Sequence, residues 1–374
     1  MMNSPSLNIV KQITRKMPAL AAALILGAAL LKPAPALAFT SANQDTIMDA
    51  YNTAFYVAVN STSGQYEGTG FWDQAEDIEV QLSAYERNPT HGNFAQITTN
   101  LLNCFDSSSG QGKGTNWTWD AYNDDITWAV LANIRVYQYT GIPLYLHCAQ
   151  WNFDQMYARA WDTKYFGGGL FWDTSKSSKN SCVNFPASIA AQRLYQATGN
   201  SKYLTEATNI YNWAKGYLWN PSTGQVYDNI STNGTVNGGA TSYNQGTFVG
   251  AADYAGDTNS AYLVSTWTMK NMGSTNATSG NYILLAQYGL NNNNSGFNSI
   301  CVRWMEKYFS DHANVQPIFY PWLQTNAQTA WNIRRTTDNL SWCQWHTNTP
   351  TGTTLSAWDC ISSCAVLQAP PATQ

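Results

Sequence analysis

Two adjacent carboxylates, Asp124 and Asp125, lie in the stretch WTWDAYNDDITW from Trp117 to Trp128, among Trp117, Trp119, Tyr122 and Trp128. Two carboxyl groups this close do not ionise together easily, so one keeps its proton while its neighbour carries charge. Glycoside hydrolysis needs such a pair: one acid protonates the leaving oxygen, and the other attacks the anomeric carbon or activates water. Helical neighbours stay close at the backbone. That favours the carboxyl separation of a retaining enzyme, about 5–5.5 Å, over the about 6.5–9.5 Å of an inverting one. The aromatic residues fit the same chemistry, because the C–H face of a sugar packs on an aromatic plane. A plainer reading competes. Acidic residues favour helix N-termini, where they accept from free N–H groups and oppose the macrodipole.

The run from Ile126 to Tyr139 holds neither Gly nor Pro, which predicts a helix with the pair in its first turn. Helical patterning predicts twelve segments in all: 43–60, 72–87, 93–106, 121–140, 143–162, 180–198, 201–217, 241–255, 258–272, 296–309, 323–335 and 356–367. Gly141, Gly199 and Gly256 each end one helix just before the next begins, 58 and 57 residues apart. A repeat of that period is a helical hairpin that buries its apolar face against its neighbours. Six such hairpins predict an all-α fold, an (α/α)6 barrel with a cleft at one end, built as one domain over residues 39–374. An open solenoid is the alternative.

The longer loops add further candidates. Phe166 to Trp172 sets three glycines among aromatic residues, where backbone approaches a ligand closely or simply turns. Tyr243, Asn244 and Gln245 open a predicted helix, either as a capping cluster or as groups that recognise sugar hydroxyls. Ser107 to Thr115 superficially resembles a phosphate loop but lacks the GxxxxGK[ST] spacing and a preceding strand, so it is expected to be a flexible surface loop.

Residues 1–38 read as an export leader. Lys11, Arg15 and Lys16 precede the apolar run Pro18 to Leu31, and Ala36-Leu37-Ala38 offers cleavage before Phe39. The expected mature protein is secreted or periplasmic, with no membrane span. The leader carries four of the 19 basic residues and no acid, which leaves 15 against 23 Asp and Glu. That balance argues against nucleic acid or an anionic membrane as partner. Charged residues are only 11% of the chain, whereas Trp and Tyr number 16 and 22, a surface suited to a neutral polysaccharide. The four histidines and seven cysteines show no metal-ligand spacing, so neither metal nor cofactor is expected. In an exported chain, Cys343, Cys360 and Cys364 are the favoured place for a disulfide, and the odd count leaves a thiol unpaired.

Taken together and in order, these motifs resemble glycoside hydrolase family 76, the endo-α-1,6-mannanases, over nearly all of residues 39–374. Its Tyr-Asp-Asp-x-x-Trp signature is matched by Tyr122 to Trp128 with one extra residue, Asn123. Its Gly-Gly-aromatic-Trp loop matches Gly168 to Trp172, followed by Lys179-Asn180 and Asn184. Gln225 to Asp228, Ser242 to Gly246 and Asn326 to Trp331 match further stretches. The pattern breaks at Phe297-Asn298-Ser299, where the family carries Phe-Lys-Gly before the helix that holds Arg303 here. The resemblance implies an (α/α)6 barrel and a retaining double displacement, with Asp124 as nucleophile and Asp125 as acid/base. It implies sugar contacts from Tyr122, Trp128, Trp172, Lys179, Asn180, Asn184, Asp228, Tyr243, Asn244 and Gln245. The expected partner is an α-mannan or manno-oligosaccharide, handled by a monomer. A transglycosidase on the same site and a non-catalytic mannan-binding protein are the competing functions. A lyase acting on uronic acids would want cationic groups that this acidic chain lacks.

Overall fold

The computed structural model describes residues 39–275, 282–286, 290 and 294–372, so the predicted leader lies outside the described residues. Twelve helices occur within them: α1 (Ser41–Phe55), α2 (Phe71–Arg87), α3 (Phe94–Phe105), α4 (Asn123–Thr140), α5 (Pro143–Ala160) and α6 (Ser181–Thr198) come first. They are followed by α7 (Ser201–Tyr217), α8 (Ser242–Tyr254), α9 (Thr258–Asn271), α10 (Phe297–Asp311), α11 (Gln316–Asn332) and α12 (Ala357–Gln368). The even-numbered helices form an inner ring. α2 packs on α4, α4 on α6, α6 on α8, α8 on α10 and α10 on α12, and α12 returns to α2. The odd-numbered helices stand outside. That closure is an (α/α)6 barrel and rules out the open solenoid.

Composition explains which helices go inside. Every residue of α12 is buried, and α4 is buried almost continuously from Ile126 to Val136, as suits a helix covered on all sides. Outer helices bury one stripe, as α7 does through Tyr203, Ala207, Ile210 and Ala214. Each fully buried Leu, Ile or Phe of the shared wall contributes about 1.5–3 kcal/mol. Where two inner helices meet tightly, only glycine fits: a Cβ on Gly246 would stand 2.5 Å from the Cys301 Cα, so α8 and α10 could not approach as they do.

Capping sets the joints. Thr40 and Asn43 form a capping box on α1, Asn200 caps α7, Asp257 caps α9, and Ser356 with Asp359 boxes α12. Gly141 and Gly199 end α4 and α6 in the left-handed region at φ 66° and 70°. These tight joints gather the C-termini of the inner helices at one mouth of the ring. The long loops, and all six inner N-termini, gather at the other.

Two boundaries differ from expectation. The first helix ends at Phe55, because Tyr56–Asn60 (β1), with its Val57 and Val59, pairs antiparallel with Ser63–Tyr66 (β2). Helix α11 begins at Gln316 instead of residue 323: Pro317 sits in its first turn, where its missing N–H costs nothing, and the helix runs on through Pro321 in its interior. Short strands in the long loops were also unannounced. Ser178–Asn180 (β3), Asn229–Ser231 (β4) and Val236–Asn237 (β5) make a small antiparallel sheet beside the N-terminal mouth. The 107–115 loop is built more firmly than a flexible surface loop. Gly112 N donates to Phe105 O at 2.9 Å and Gly114 N to Ser107 O at 2.9 Å, and the Trp117 indole donates to Gly114 O at 3.1 Å. All seven cysteines are buried and unpaired, which corrects the disulfide expected in the tail; an apolar core accommodates the thiols as small hydrophobes.

Candidate active site

The carboxylate pair stands at the N-terminus of α4, on the rim where the inner N-termini converge. The feeding loop is fixed from outside. Asn123 N donates to Trp172 O at 2.8 Å, and its Nδ2 to Phe171 O at 2.8 Å. Arg159 of α5 donates to Asn123 Oδ1 at 2.6 Å and to Asp120 O at 2.8 Å. Tyr122 also bridges Asp173 as an isolated antiparallel pair. The loop ending in Trp172 is therefore part of the same rim as the acids. Gly169 makes that loop possible. Its φ is 92°, and a Cβ there would lie 2.4 Å from the Trp213 ring.

The helix is capped at Tyr122, whose side chain makes no capping bond, so neither Asp occupies the cap position. Their surroundings differ. Asp124 faces the first-turn N–H groups of residues 124 and 125, the Trp172 side chain and the Cys182 thiol, all of which favour its ionised form. These are polarising contacts, since the buried Oδ1 finds no aligned hydrogen bond among the described residues. Asp125 has no such donors among the described residues. Burial raises its pKa first, and the negative charges of Asp124, Asp120 and Asp73 raise it further. Burial lifts both acids above the ordinary carboxylate range, but Asp125 goes much further. Asp124 ionises first, and Asp125 holds the proton.

Around the pair, Tyr122 and Trp172 set their rings 5.0 Å apart at 48°, and Tyr122 is 43% exposed. The Cys182 thiol interacts with Asp124 on one side and with the Tyr243 hydroxyl on the other. Tyr243 rests on Phe297 at 3.9 Å between ring centroids. Asp228 reaches this group through Asn244, whose Nδ2 donates to Asp228 Oδ1 at 3.3 Å. Stretches separated by more than a hundred residues therefore share one rim. It presents an ionised and a protonated carboxyl beside exposed aromatic planes, which is the equipment for attack at an anomeric carbon with acid assistance.

A family model described as glycosyl hydrolase family 76 matches residues 38–374. The chain belongs to that family. It is 34% identical over 124 residues to the mannan endo-1,6-alpha-mannosidase DFG5 of Saccharomyces cerevisiae. That alignment covers 30% of this chain and 27% of the yeast protein, so the chain matches about a quarter of the length of this curated relative. Among solved structures, it resembles an inactive variant of the α-1,6-mannanase of Salegentibacter sp., altered to Asn at two consecutive aspartates and in complex with α-1,6-mannotriose. The TM-score is 0.76 and the identity 21%, over 88% of this chain and 98% of that one. Dfg5 from Chaetomium thermophilum in complex with glucosamine superimposes with a TM-score of 0.73 at 18% identity, over 89% and 92% of the two chains. These structures carry the barrel fold of the family.

Within this family 76 site, several residues expected to touch sugar are occupied with the protein itself. Lys179 is 1% exposed, and its Nζ donates to the carbonyls of Asp162 at 2.7 Å and Tyr165 at 2.8 Å and to Gly168 O, clasping the glycine loop. Asn184 is fully buried. It accepts from Leu170 N at 2.8 Å and donates to Leu170 O at 3.0 Å. Gln245 does the same for Val226, at 3.0 and 2.9 Å. Trp128 is 1% exposed and belongs to the core wall, 6.3 Å from Tyr243. Asn180 and Asn244 are buried too, Asn180 accepting from Ser178 Oγ at 2.7 Å. These six build and hold the rim. Tyr122, Trp172, Asp228 and Tyr243 keep exposed surface at it.

Some rim residues went unnoticed in the sequence. Asp73 lies in the first turn of α2, its pKa raised to about 6 by burial, and its charge bears on Asp125. Cys182 meets Tyr243 from α6, and Phe297, noted only as part of a break in the family pattern, meets it from α10. No local pattern marks them, since each lies more than fifty residues from the group it meets; only the rule that inner N-termini share a rim would have found them. At the break in the family pattern, Asn298 is buried at the start of α10 and donates to Leu285 O at 3.3 Å.

Proposed function

We propose that this chain is a secreted, retaining endo-α-1,6-mannanase with Asp124 as nucleophile and Asp125 as acid/base. One observation carries the reading: an adjacent pair of acids of which one is cradled by donors and the other crowded by carboxylates. In the first step protonated Asp125 donates to the leaving glycosidic oxygen while ionised Asp124 attacks the anomeric carbon. In the second, Asp125, now the base, takes a proton from water, which displaces Asp124. Tyr122 and Trp172 offer planes for the sugar on one side, and Tyr243 and Asp228 offer polar groups on the other. The relatives support the substrate class: the yeast protein is a mannan endo-1,6-alpha-mannosidase, and the Salegentibacter variant holds α-1,6-mannotriose.

Incubation with linear α-1,6-mannan is expected to yield a ladder of shorter oligosaccharides, with the first product α-configured by NMR. An unchanged polymer would count against hydrolysis, and longer products would favour the transglycosidase. Activity should be bell-shaped in pH. On the acid side it falls as Asp124 takes up a proton, and on the alkaline side as Asp125 loses its own. Both limbs should lie above the ordinary carboxylate range, because burial raises both groups.

The export reading yields its own test. Phe39 is fully buried and Thr40 caps α1, and cleavage after Ala38 keeps both. N-terminal sequencing of protein exported by a bacterial host is expected to begin at Phe39. Retention of the basic leader in exported protein would refute it.

A further inference from the structure

In a retaining displacement the acid stands beside the leaving oxygen and the nucleophile beneath the anomeric carbon. The part of the chain that is released therefore passes over the acid. The rim gives that line a direction. Asp124 faces α6 and the loop ahead of it, through Cys182 and Trp172. Asp125 faces the other way: besides Asp124, the charges that bear on it are those of Asp120 and of Asp73, in the first turn of α2. On the mannanase reading proposed above, sugars on the non-reducing side of the cut lie toward Trp172. Those released lie toward the start of α2.

A ring with no part in the mechanism above lies on that side. Trp119 leans on Phe71, the first residue of α2, with ring centroids 5.1 Å apart at 56°, and Phe71 is stacked in turn on Phe105. The Trp119 indole N–H donates to Gly112 O at 3.3 Å, which fixes one edge of the ring. The plain account is that Trp119 anchors the 107–115 loop. Trp117 already does so: its indole donates to Gly114 O at 3.1 Å, and it is fully buried. An anchor is hidden by what it holds, whereas Trp119 holds the same loop and is 44% exposed. That exposure stands with the Lys113 side chain in place, its Nζ 4.2 Å from the ring centroid. Lys113 is itself exposed, and a cation resting on a ring in water is held weakly, so a sugar face can displace it. Trp72, the next residue of α2, is half-buried against Trp358 at 4.7 Å and adds aromatic surface toward α12.

We propose that Trp119 is the platform for the leaving-group side of the cleft, stacking the mannose units that are released at the reducing side of the cut. The platform rests on the mannanase reading and sets its specificity. Binding on a part of the chain remote from the reacting bond favours internal bonds, which carry sugars on both sides, over a bond with nothing beyond it.

Two substrates separate the sides of the cut. Linear α-1,6-mannohexaose carries sugars beyond the bond, whereas α-1,6-mannotriosyl fluoride places only fluoride there. Trp119→Ala is expected to lower kcat/KM on the hexaose about five- to tenfold, and on the fluoride by less than about twofold. Trp119→Leu keeps apolar bulk against Phe71, guarding against loss of the fold, and should behave as Trp119→Ala does. Trp119→Phe restores a plane and should recover most of the parent's rate. Added α-1,6-mannobiose should intercept the glycosyl-enzyme formed from the fluoride, giving mannopentaose with the parent and little with Trp119→Leu. Equal losses on both substrates, or no loss on the hexaose, would overturn the platform while the parent's activity keeps the mannanase reading. A parent inert on both substrates would overturn that reading and the platform with it.

Discussion

Asp124→Asn and Asp125→Asn are each expected to lower mannan hydrolysis by orders of magnitude while leaving the melting temperature at neutral pH unchanged or slightly raised. Activity is expected to fall because each variant removes one half of the proposed double displacement. Stability follows from linkage. A carboxyl whose pKa rises on folding holds its proton more tightly in the folded state. Its contribution is therefore complete below the unfolded value, about pH 4, and is lost as pH rises through the folded value. Both acids are raised by burial, so at neutral pH a neutral amide removes a cost. If the pair served as caps, either change would instead cost about 0.5–2 kcal/mol while activity persisted below the melting range.

The two variants should also differ from each other. An activated aryl α-mannoside needs little acid assistance, so Asp125→Asn should still form the glycosyl-enzyme from it, and added azide should restore turnover. That product keeps the α configuration, because azide enters from the face the leaving group left. Asp124→Asn forms no covalent intermediate, so its azide product should be β. The opposite pairing of products would exchange the two roles, and full activity in both variants would remove catalysis from this rim.

The second large effect concerns the charged interior of the ring. Arg135→Met is expected to lower the melting temperature on the order of ten degrees, from a loss of about 3–5 kcal/mol. Arg135 donates to Glu79 O at 2.8 Å, to Glu79 Oε2 at 2.5 Å, to Ser83 Oγ at 3.0 Å and to Glu86 Oε2 at 2.7 Å. Glu79 is 2% exposed, and the positive charges of Arg135, Arg303 and Arg193 together hold its pKa below the usual carboxylate value against the cost of burial. Without Arg135, the ion pair left to Glu79 among the described residues is with Arg303, at 4.0 Å, and a buried charge is poorly paired. Adding Glu79→Gln removes that charge, so the double variant should regain part of the loss. Thermal melts of the parent, both single variants and the double variant make the test. A drop under about 1 kcal/mol for Arg135→Met would show that water reaches the network and screens it.

Much of this molecule is written locally. Helix-ending glycines at regular spacing and runs without Gly or Pro placed all twelve helices, because helix starts and stops depend on backbone conformation over a few residues. The adjacent acids, the aromatic residues about them and the ordered motifs made the family legible too. Strands were missed because Ser178–Asn180 is only three residues long and is stabilised by Asn229–Ser231, some fifty residues later. The division of labour within the site was equally out of reach. Lys179, Asn184 and Gln245 read as polar residues near a sugar, but they are committed to carbonyl and amide groups of neighbouring loops. A buried polar side chain must be satisfied by whatever surrounds it, and only the packed ring determines what that is. The same holds for the pair itself. Its sequence shows two identical side chains, and nothing local ranks them. Tertiary structure does so by bringing Trp172 and Cys182 to Asp124, and the charges of Asp73 and Asp120 to bear on Asp125. Electrostatic energy depends on distance in space and on burial, neither of which adjacent positions in a chain can specify.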